Sequence, residues 1–356
     1  MTALTVPPRP EEDDASLRPV PWRRMAGVTW RQHRFALLGV VTLLSALAVY
    51  LWIVGLQLHR AYAAAIACHP AGSPACQDLI NAFNGMDTFL ANGSLMQALP
   101  VLIGAFVGAP VLARELETGT YRYAWTQGFG RWRWTLAKLV PLAILLVAAT
   151  GAFGVLLSWY YQPYFATGHQ VLGLSRTSPF NAGLFDLREV AFPAWTLAAF
   201  AIGALAGMLI RRVVPAIAAT VALYAGLAFA TGIFLRAHYL TPLLTTKLTL
   251  PGSAWILSQW WTKGGVTLSQ STMHQVMDPV FSRFLPAVPP DQVHLYKEST
   301  FLDTERYLTQ HGYTYWTSYQ PGSRFWPFQW IEGGWLLALS VLLVAATIWL
   351  VRRRAT

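Results

Sequence analysis

The chain has 356 residues, of which 54% are hydrophobic and only 12% are charged. A soluble domain carries about 25% charged residues, so this composition excludes an ordinary soluble enzyme and indicates a membrane protein. The formal net charge of +10 would suit nucleic acid, but much of the basic charge flanks apolar runs. We therefore expect membrane lipids as partners and no nucleic acid.

The first 34 residues fall into two parts. Residues 1–20 are rich in proline, carry four consecutive acids at 11–14 and are typical of a disordered cytosolic tail. Residues 21–34 predict an amphipathic helix in the head-group plane, which anchors the chain or also contacts a cytosolic partner. The residues that define this interface helix are Trp22, Arg23, Arg24, Trp30 and Arg31.

Six apolar runs are long enough to cross the hydrocarbon core of a bilayer. They extend over 35–56, 95–113, 139–159, 190–210, 213–235 and 333–351. Because only Arg211 and Arg212 separate the fourth run from the fifth, these two runs predict a tight helical hairpin. The chain thus divides into spanning helices one to five at 35–235, a large segment at 236–328, and the sixth spanning helix with a basic tail at 329–356.

The positions of the basic residues predict the orientation. With the N-terminus inside, 16 of the 26 Lys and Arg residues lie on the cytosolic side. Short loops decide orientation, and here about 25 inner residues carry five basic residues while nearly 40 outer residues carry one. Both termini are therefore expected in the cytosol, and segment 236–328 outside a plasma (inner) membrane that the chain crosses several times.

The chain has two cysteines, Cys68 and Cys76, in the first outer loop. Two thiols in one short loop on an oxidising face most simply form a local disulfide. A metal site with His69 would have too few ligands at the wrong spacing, so no metal is expected.

Segment 236–328 is rich in tryptophan and tyrosine, with a predicted helix near 303–310. Its histidines lack metal-ligand spacing, which favours a packed aromatic lid over a catalytic site. At the edge of the sixth run, Glu332 is a functional candidate because ionisable residues at that depth are costly, although a solvated acid is an equal alternative.

Small residues and prolines mark several of the spanning runs. Gly104 and Gly108 in the second run, and Gly203 and Gly207 in the fourth, predict close helix contact within or between subunits. Pro110 makes the second run prone to a kink.

The chain contains no G-x-x-x-x-G-K-[ST], H-E-x-x-H or G-x-S-x-G motif. Its predicted cytosolic segments are also too short for a nucleotide-hydrolysing domain. We expect no cofactor and no catalytic residue in this chain, so energy for any work must come from another protein.

The loop 114–138 combines acids, glycines and basic residues between two spanning runs. Glu115 and Glu117 have no obvious basic neighbour within the loop, so they are expected to bind basic residues of a partner or lie near a helix N-terminus. Gly119 and Thr120 predict a helix break and a new cap. An ordinary basic inner loop is the alternative, but it does not require the paired acids.

This region resembles the permease subunits of ABC-2 type transporters. The shared pattern is a spanning run from Gly104 that ends in Glu-x-Glu-x-Gly-Thr, followed by a Thr-Gln turn, an arginine and a distal Lys138. The resemblance implies an all-α polytopic fold of six transmembrane helices, similar to type V exporters, with a coupling helix that docks on a separate ATPase holding ATP and Mg²⁺. The implied coupling residues are Arg114, Glu115, Glu117, Gly119, Thr120, Tyr121, Thr126, Gln127 and Arg131.

The function expected from this resemblance is export of a hydrophobic or amphipathic substrate by a homodimer or a pair of permeases. The segment between the fifth and sixth helices is larger than the basic family plan, and its role stays open. Two alternatives remain: a membrane-embedded enzyme with its site under segment 236–328, and a non-transporting anchor of a sensor or immunity complex.

Overall fold

The computed structural model describes residues 21–70, 73–86, 96–121, 130–166, 178–247, 250–285 and 293–353, so the predicted tail 1–20 lies outside it. It confirms a mostly helical polytopic fold with six helices long and apolar enough to cross a membrane. These helices are α1 (Trp22–Ala67), α3 (Ala98–Thr118), α4 (Arg131–Ala166), α6 (Ala191–Ile210), α7 (Val213–Ala230) and α10 (Phe325–Arg353). Two short helices, α2 (Pro74–Asn84) and α5 (Ala182–Phe185), lie in the connections.

The bundle has two ends that differ in chemistry. One apolar cluster joins Leu37, Val111, Trp134, Met208 and Val351, which belong to the same end of five spanning helices. We call this the terminal end, because the first and last described residues and the α6–α7 hairpin lie there. The opposite end, called the cap end, carries α2, α5 and the described part of the segment between α7 and α10.

Helix α1 is continuous over 46 residues, about 69 Å at 1.5 Å per residue. The prediction of a separate interface helix at 21–34 is therefore corrected: these residues extend the first spanning helix. Met25 and Thr29 are buried in the bundle, and the Thr29 hydroxyl donates to the Ala137 carbonyl oxygen of α4 at 3.1 Å. This contact packs the segment against α4.

The side chains predicted to anchor this segment lie on its open sides. Trp22 and Trp30 are 45% and 51% exposed, and Trp22 makes an edge contact with Trp132 of α4 at 6.3 Å between ring centroids. Arg24 and Arg31 are exposed, and the side chain of Arg23 lies outside the described part. Lipid contact of these exposed side chains stays a prediction.

Helix α6 is the central helix of the bundle, and most of its residues are buried. A Cβ atom added at Gly203 would meet the carbonyl oxygen of Gly104, and one added at Gly108 would lie 2.6 Å from the Phe200 carbonyl oxygen. The two small-residue faces therefore pack on each other within one subunit, with the backbones of α3 and α6 in contact.

The second spanning helix, α3, contains a π-helical turn at Gly104–Gly108, which ends two residues before Pro110. Proline has no N–H to donate to the carbonyl oxygen four residues earlier, so one regular α-helical hydrogen bond is missing here. The irregular turn lies where α3 contacts α6.

The segment between α7 and α10 contains a four-stranded antiparallel sheet in the order β1-β4-β2-β3. The strands are β1 (Leu243–Thr245), β2 (Trp255–Lys263), β3 (Val266–Thr267) and β4 (Tyr313–Gln320), and two helices, α8 (Gln270–Phe284) and α9 (Val293–Gln310), lie between β3 and β4. Gly264 and Gly265 take positive φ values of 56° and 84°, as a two-residue hairpin between β2 and β3 requires. The predicted helix is present within α9, whereas the sequence did not predict the sheet.

Cys68 and Cys76 are joined by a disulfide, with their Cα atoms 5.6 Å apart. The bond links the end of α1 to the first turn of α2. The Ser73 side chain accepts from the Cys76 N–H at 3.3 Å and caps α2.

Candidate functional site

The terminal end holds an ion pair between Glu115 of α3 and Lys138 of α4. Lys138 is only 3% exposed, and its ammonium nitrogen lies 4.5 Å from the centre of the Trp134 ring. A lysine buried to this degree needs a counter-ion, because an uncompensated charge in an apolar environment is strongly destabilising. Glu115 therefore fixes the last turn of α3 to the first turns of α4.

Glu117 makes a second connection from the same turn of α3. Its Oε2 atom accepts the backbone N–H of Val213, the first residue of α7, at 2.9 Å. Arg212 precedes α7 and provides no side-chain cap, so the carboxylate supplies the missing acceptor and a favourable charge at the helix N-terminus. Glu117 thereby fixes α3 to α7.

The first contact corrects the expectation that the two acids have no basic neighbour within the loop 114–138. Glu115 binds Lys138, and Glu117 takes the predicted place near a helix N-terminus. The local sequence pattern did not predict either contact, because Lys138 lies 23 residues beyond Glu115 and Val213 lies 96 residues beyond Glu117.

Several other residues of the predicted coupling loop are described near this turn. Gly119 ends α3 with a φ of +74°, a left-handed conformation that glycine adopts without strain. Arg114 and Thr120 are exposed, whereas Tyr121 packs against the apolar cluster of the terminal end. Arg131 begins α4. The remaining two, Thr126 and Gln127, lie outside the described residues.

A second charged cluster is buried at the cap end. Glu332 of α10 is 0% exposed and Arg236, just beyond α7, is 2% exposed. Arg236 donates to both Glu332 carboxylate oxygens, from Nε at 2.9 Å and Nη2 at 2.7 Å. Trp195 Nε1 and the Tyr239 hydroxyl donate to the same carboxylate at 2.8 and 3.0 Å, and Asp186 binds Arg236 Nη2. Glu332 is therefore a buried acid whose two carboxylate oxygens both accept hydrogen bonds.

The sequence singled out Glu332 but not its partners. Asp186 lies just before α6, and Arg236 just after the apolar part of α7. Each of the three charged residues thus lies where an apolar run ends on the cap side. Their similar depth in the membrane is the signal from which their contact could have been predicted. Nearby, buried Gln329 accepts from Ala191 N–H at 2.8 Å and completes the polar layer at the start of α6.

Two histidines of the cap end make local contacts. The Nδ1 atoms of His238 and His311 lie 2.7 Å from the carbonyl oxygens of Phe234 and Tyr307, one helical turn earlier. Within the described ranges, no group of three His, Cys, Asp or Glu residues has the geometry to hold a metal ion.

Six helices long and apolar enough to span a membrane pack around a central α6, and charged contacts join them at both ends, which is the architecture of a polytopic α-helical membrane protein. The family described as "ABC-2 membrane transporter related" matches residues 41–236. This match covers more than half of the chain, and the chain belongs to that family: it is the membrane component of a transporter. No curated protein and no solved structure matches the chain.

The matched region includes the loop 114–138 and the Glu115 and Glu117 contacts. It ends at Arg236, before the cap sheet and α10. The family match therefore bears on the bundle and the terminal end, and the role of the segment between α7 and α10 is a separate question.

Proposed function

We propose that the chain is the permease subunit of an ATP-binding cassette exporter and works as a dimer with two copies of a separate cytosolic ATPase. ATP and Mg²⁺ belong to that partner. The terminal end faces the cytosol of a plasma-membrane protein, and a hydrophobic or amphipathic substrate leaves at the cap end.

The observation that carries this proposal is the double attachment of the last turn of α3. Glu115 joins that turn to α4, and Glu117 joins it to α7. A force applied to residues 119–130 by a docked ATPase would therefore move three spanning helices together. Such a rigid connection is what coupling requires, because a flexible loop would absorb the displacement.

The surface around this turn suits an acidic partner. Arg114, Arg211, Arg212 and Arg352 are exposed at the terminal end. Complementary charge across an interface steers association and selects the partner. The same basic residues support the cytosolic orientation by the positive-inside rule.

Charge reversal at Arg114 tests the docking surface, since this exposed residue lies one position before Glu115. We expect Arg114→Glu to reduce co-purification of the ATPase and ATP hydrolysis by the complex about tenfold or more, with unchanged permease yield. The matched control is Arg283→Glu, an equal charge change on the exposed α8 helix of the cap, which should leave the complex intact. If Arg114→Glu keeps full complex and full hydrolysis, the proposed docking surface is wrong.

Two variants of Glu117 separate docking from the internal contact. Glu117→Gln keeps an oxygen that can accept the Val213 N–H but removes the charge, whereas Glu117→Lys removes both. If Glu117 acts through α7, the Gln variant should keep most of the coupled hydrolysis and the Lys variant should lose it. An equal loss of coupled hydrolysis in both variants would indicate instead that the Glu117 carboxylate acts through its charge on the ATPase.

A further inference from the structure

A cavity of about 380 Å³ lies at the cap end of the bundle, between α3, α7 and the segment that leads into α6. Most of its wall is apolar. The apolar lining includes Pro100 of α3, Leu187, Phe229 of α7 and Ile233, which lies just beyond α7. Phe229 and Ile233 are 65% and 54% exposed, so the cavity opens on the outer face of α7. This shape suits the hydrophobic body of a small ligand.

One side of the cavity is polar and charged. Asp186 and Arg236 line it, and Glu332 lies directly behind Arg236 as its bidentate partner. Two carboxylates thus share one guanidinium, which leaves one negative charge in excess when both acids are ionised. Glu332 is 0% exposed and already receives four hydrogen bonds, whereas the Asp186 side chain is 18% exposed at the cavity wall.

We infer that this cavity binds an amphipathic organic cation, with the Asp186 carboxylate as counter-ion and the apolar wall around its hydrophobic body. The inference deepens the proposed export function by naming the class of substrate. In a low-dielectric wall an excess negative charge attracts a cation and repels an anion far more strongly than in water. Selection by charge sign is therefore the property that distinguishes this site from a lipid-filled crevice.

The pH dependence of cation affinity provides a second test, because Asp186 can titrate. Burial raises the pKa of Asp186 above its usual range, against the opposing charge of Arg236, and the Glu332 carboxylate raises it further; Tyr224 also faces it. Because a cation favours the ionised carboxylate, its affinity should rise with pH as Asp186 loses its proton. A neutral ligand in the same cavity would show no such rise.

Two ions of nearly identical shape and opposite charge test the inference: tetraphenylphosphonium and tetraphenylborate. Their binding to the purified full-length permease, without any ATPase, is measured by equilibrium dialysis in detergent at pH 6 and pH 8. We expect saturable phosphonium binding that strengthens at pH 8, and a loss of about tenfold or more in Asp186→Asn. Asp278→Asn, an equal change at a 76% exposed site in α8, should bind like the wild type.

A second variant blocks the cavity without touching the charges. Gly232 lines the cavity, and a Cβ atom added there meets no atom within 4 Å. Gly232→Leu should fold normally and lose the saturable phosphonium binding. The phosphonium that remains associated with this variant measures the background uptake by detergent. This variant keeps the test decisive if Asp186→Asn does not fold.

Equal saturable binding of both ions, unchanged phosphonium binding in Asp186→Asn, or retained binding in Gly232→Leu would overturn the inference. Because no ATPase is present, the result is separate from the test of export. If the cation binds but no ATPase couples to the permease, only the exporter proposal is wrong. If an ATPase couples normally but the cation does not bind, only the proposed cation site is wrong.

Discussion

Arg236 and Glu332 lie 96 residues apart in the sequence, and the guanidinium of one binds both carboxylate oxygens of the other. The pair joins the end of α7 to α10 across the large segment that separates these helices. Asp186 adds the start of α6 to the same contact. Three spanning helices therefore meet at one charged centre at the cap end, much as α3, α4 and α7 meet at Glu115 and Glu117 at the terminal end.

The two members of this pair should differ in their importance for stability. Arg236→Leu leaves two carboxylates without their shared cation and should destabilise the protein by about 3–5 kcal/mol. Glu332→Gln leaves Arg236 paired with Asp186 and should cost less, about 1–2 kcal/mol. Chemical unfolding of both purified variants in one detergent gives the comparison, and an equal or reversed order would contradict the arrangement.

Close contact between α3 and α6 predicts a strong effect at Gly203. Gly203→Ala places a methyl group against the carbonyl oxygen of Gly104 and 2.7 Å from the Ala109 nitrogen, so the two helices must separate. We expect a loss of about 1–3 kcal/mol in unfolding free energy. The control is Gly226→Ala in α7, where an added Cβ meets nothing within 4 Å and stability should not fall.

The six spanning helices and the hairpin at Arg211 and Arg212 could be predicted because they depend on local composition and length. The partners of Glu115, Glu117 and Glu332 could not, since each is a contact between distant parts of the chain that only the packed bundle creates. The cap sheet was missed for the same reason. Strand β1 has three residues and β3 has two, too few for a local pattern. The central pairing of β2 with β4 and the pairing of β1 with β4 join residues that lie 50 or more positions apart.

Glu305 in α9 gives a prediction about pH. Its side chain is 0% exposed, both carboxylate oxygens lack hydrogen-bond partners among the described residues, and burial raises its pKa to about 7 from 4.5. The native state therefore holds a proton that the unfolded chain releases between about pH 4.5 and 7. The stability that this proton provides is fully present below that window and is lost as the pH rises through 7.

Glu305→Gln should weaken this pH dependence, because the amide stays neutral. The measurement is the thermal unfolding midpoint at pH 5 and pH 8, which should fall more steeply in the wild type than in the variant. Asp303→Asn, at a neighbouring residue with a 48% exposed side chain, serves as the control. The same fall in wild type and Glu305→Gln would show that the buried acid is not the titrating group.

Orientation can be tested with single cysteines, because both native cysteines are held in the disulfide. In intact cells an impermeant thiol reagent should label Lys247→Cys, next to β1 in the segment between α7 and α10. It should label Arg114→Cys and Arg211→Cys only after the membrane is permeabilised. Labelling in the reverse pattern would place the loop 114–138 outside the cell and remove the docking proposal.

Site-specific photocrosslinking shows whether a separate ATPase docks on the loop 114–138. A benzophenone amino acid replaces exposed Thr120 in the full chain, with the same replacement at Arg283 in the cap as control, and the adducts formed in native membranes are identified by mass spectrometry. We expect an adduct at position 120 with a protein that contains a G-x-x-x-x-G-K-[ST] motif, and no such adduct at position 283. Absence of that protein at position 120, or its capture at position 283, would show that no ATPase docks on this loop in the proposed way.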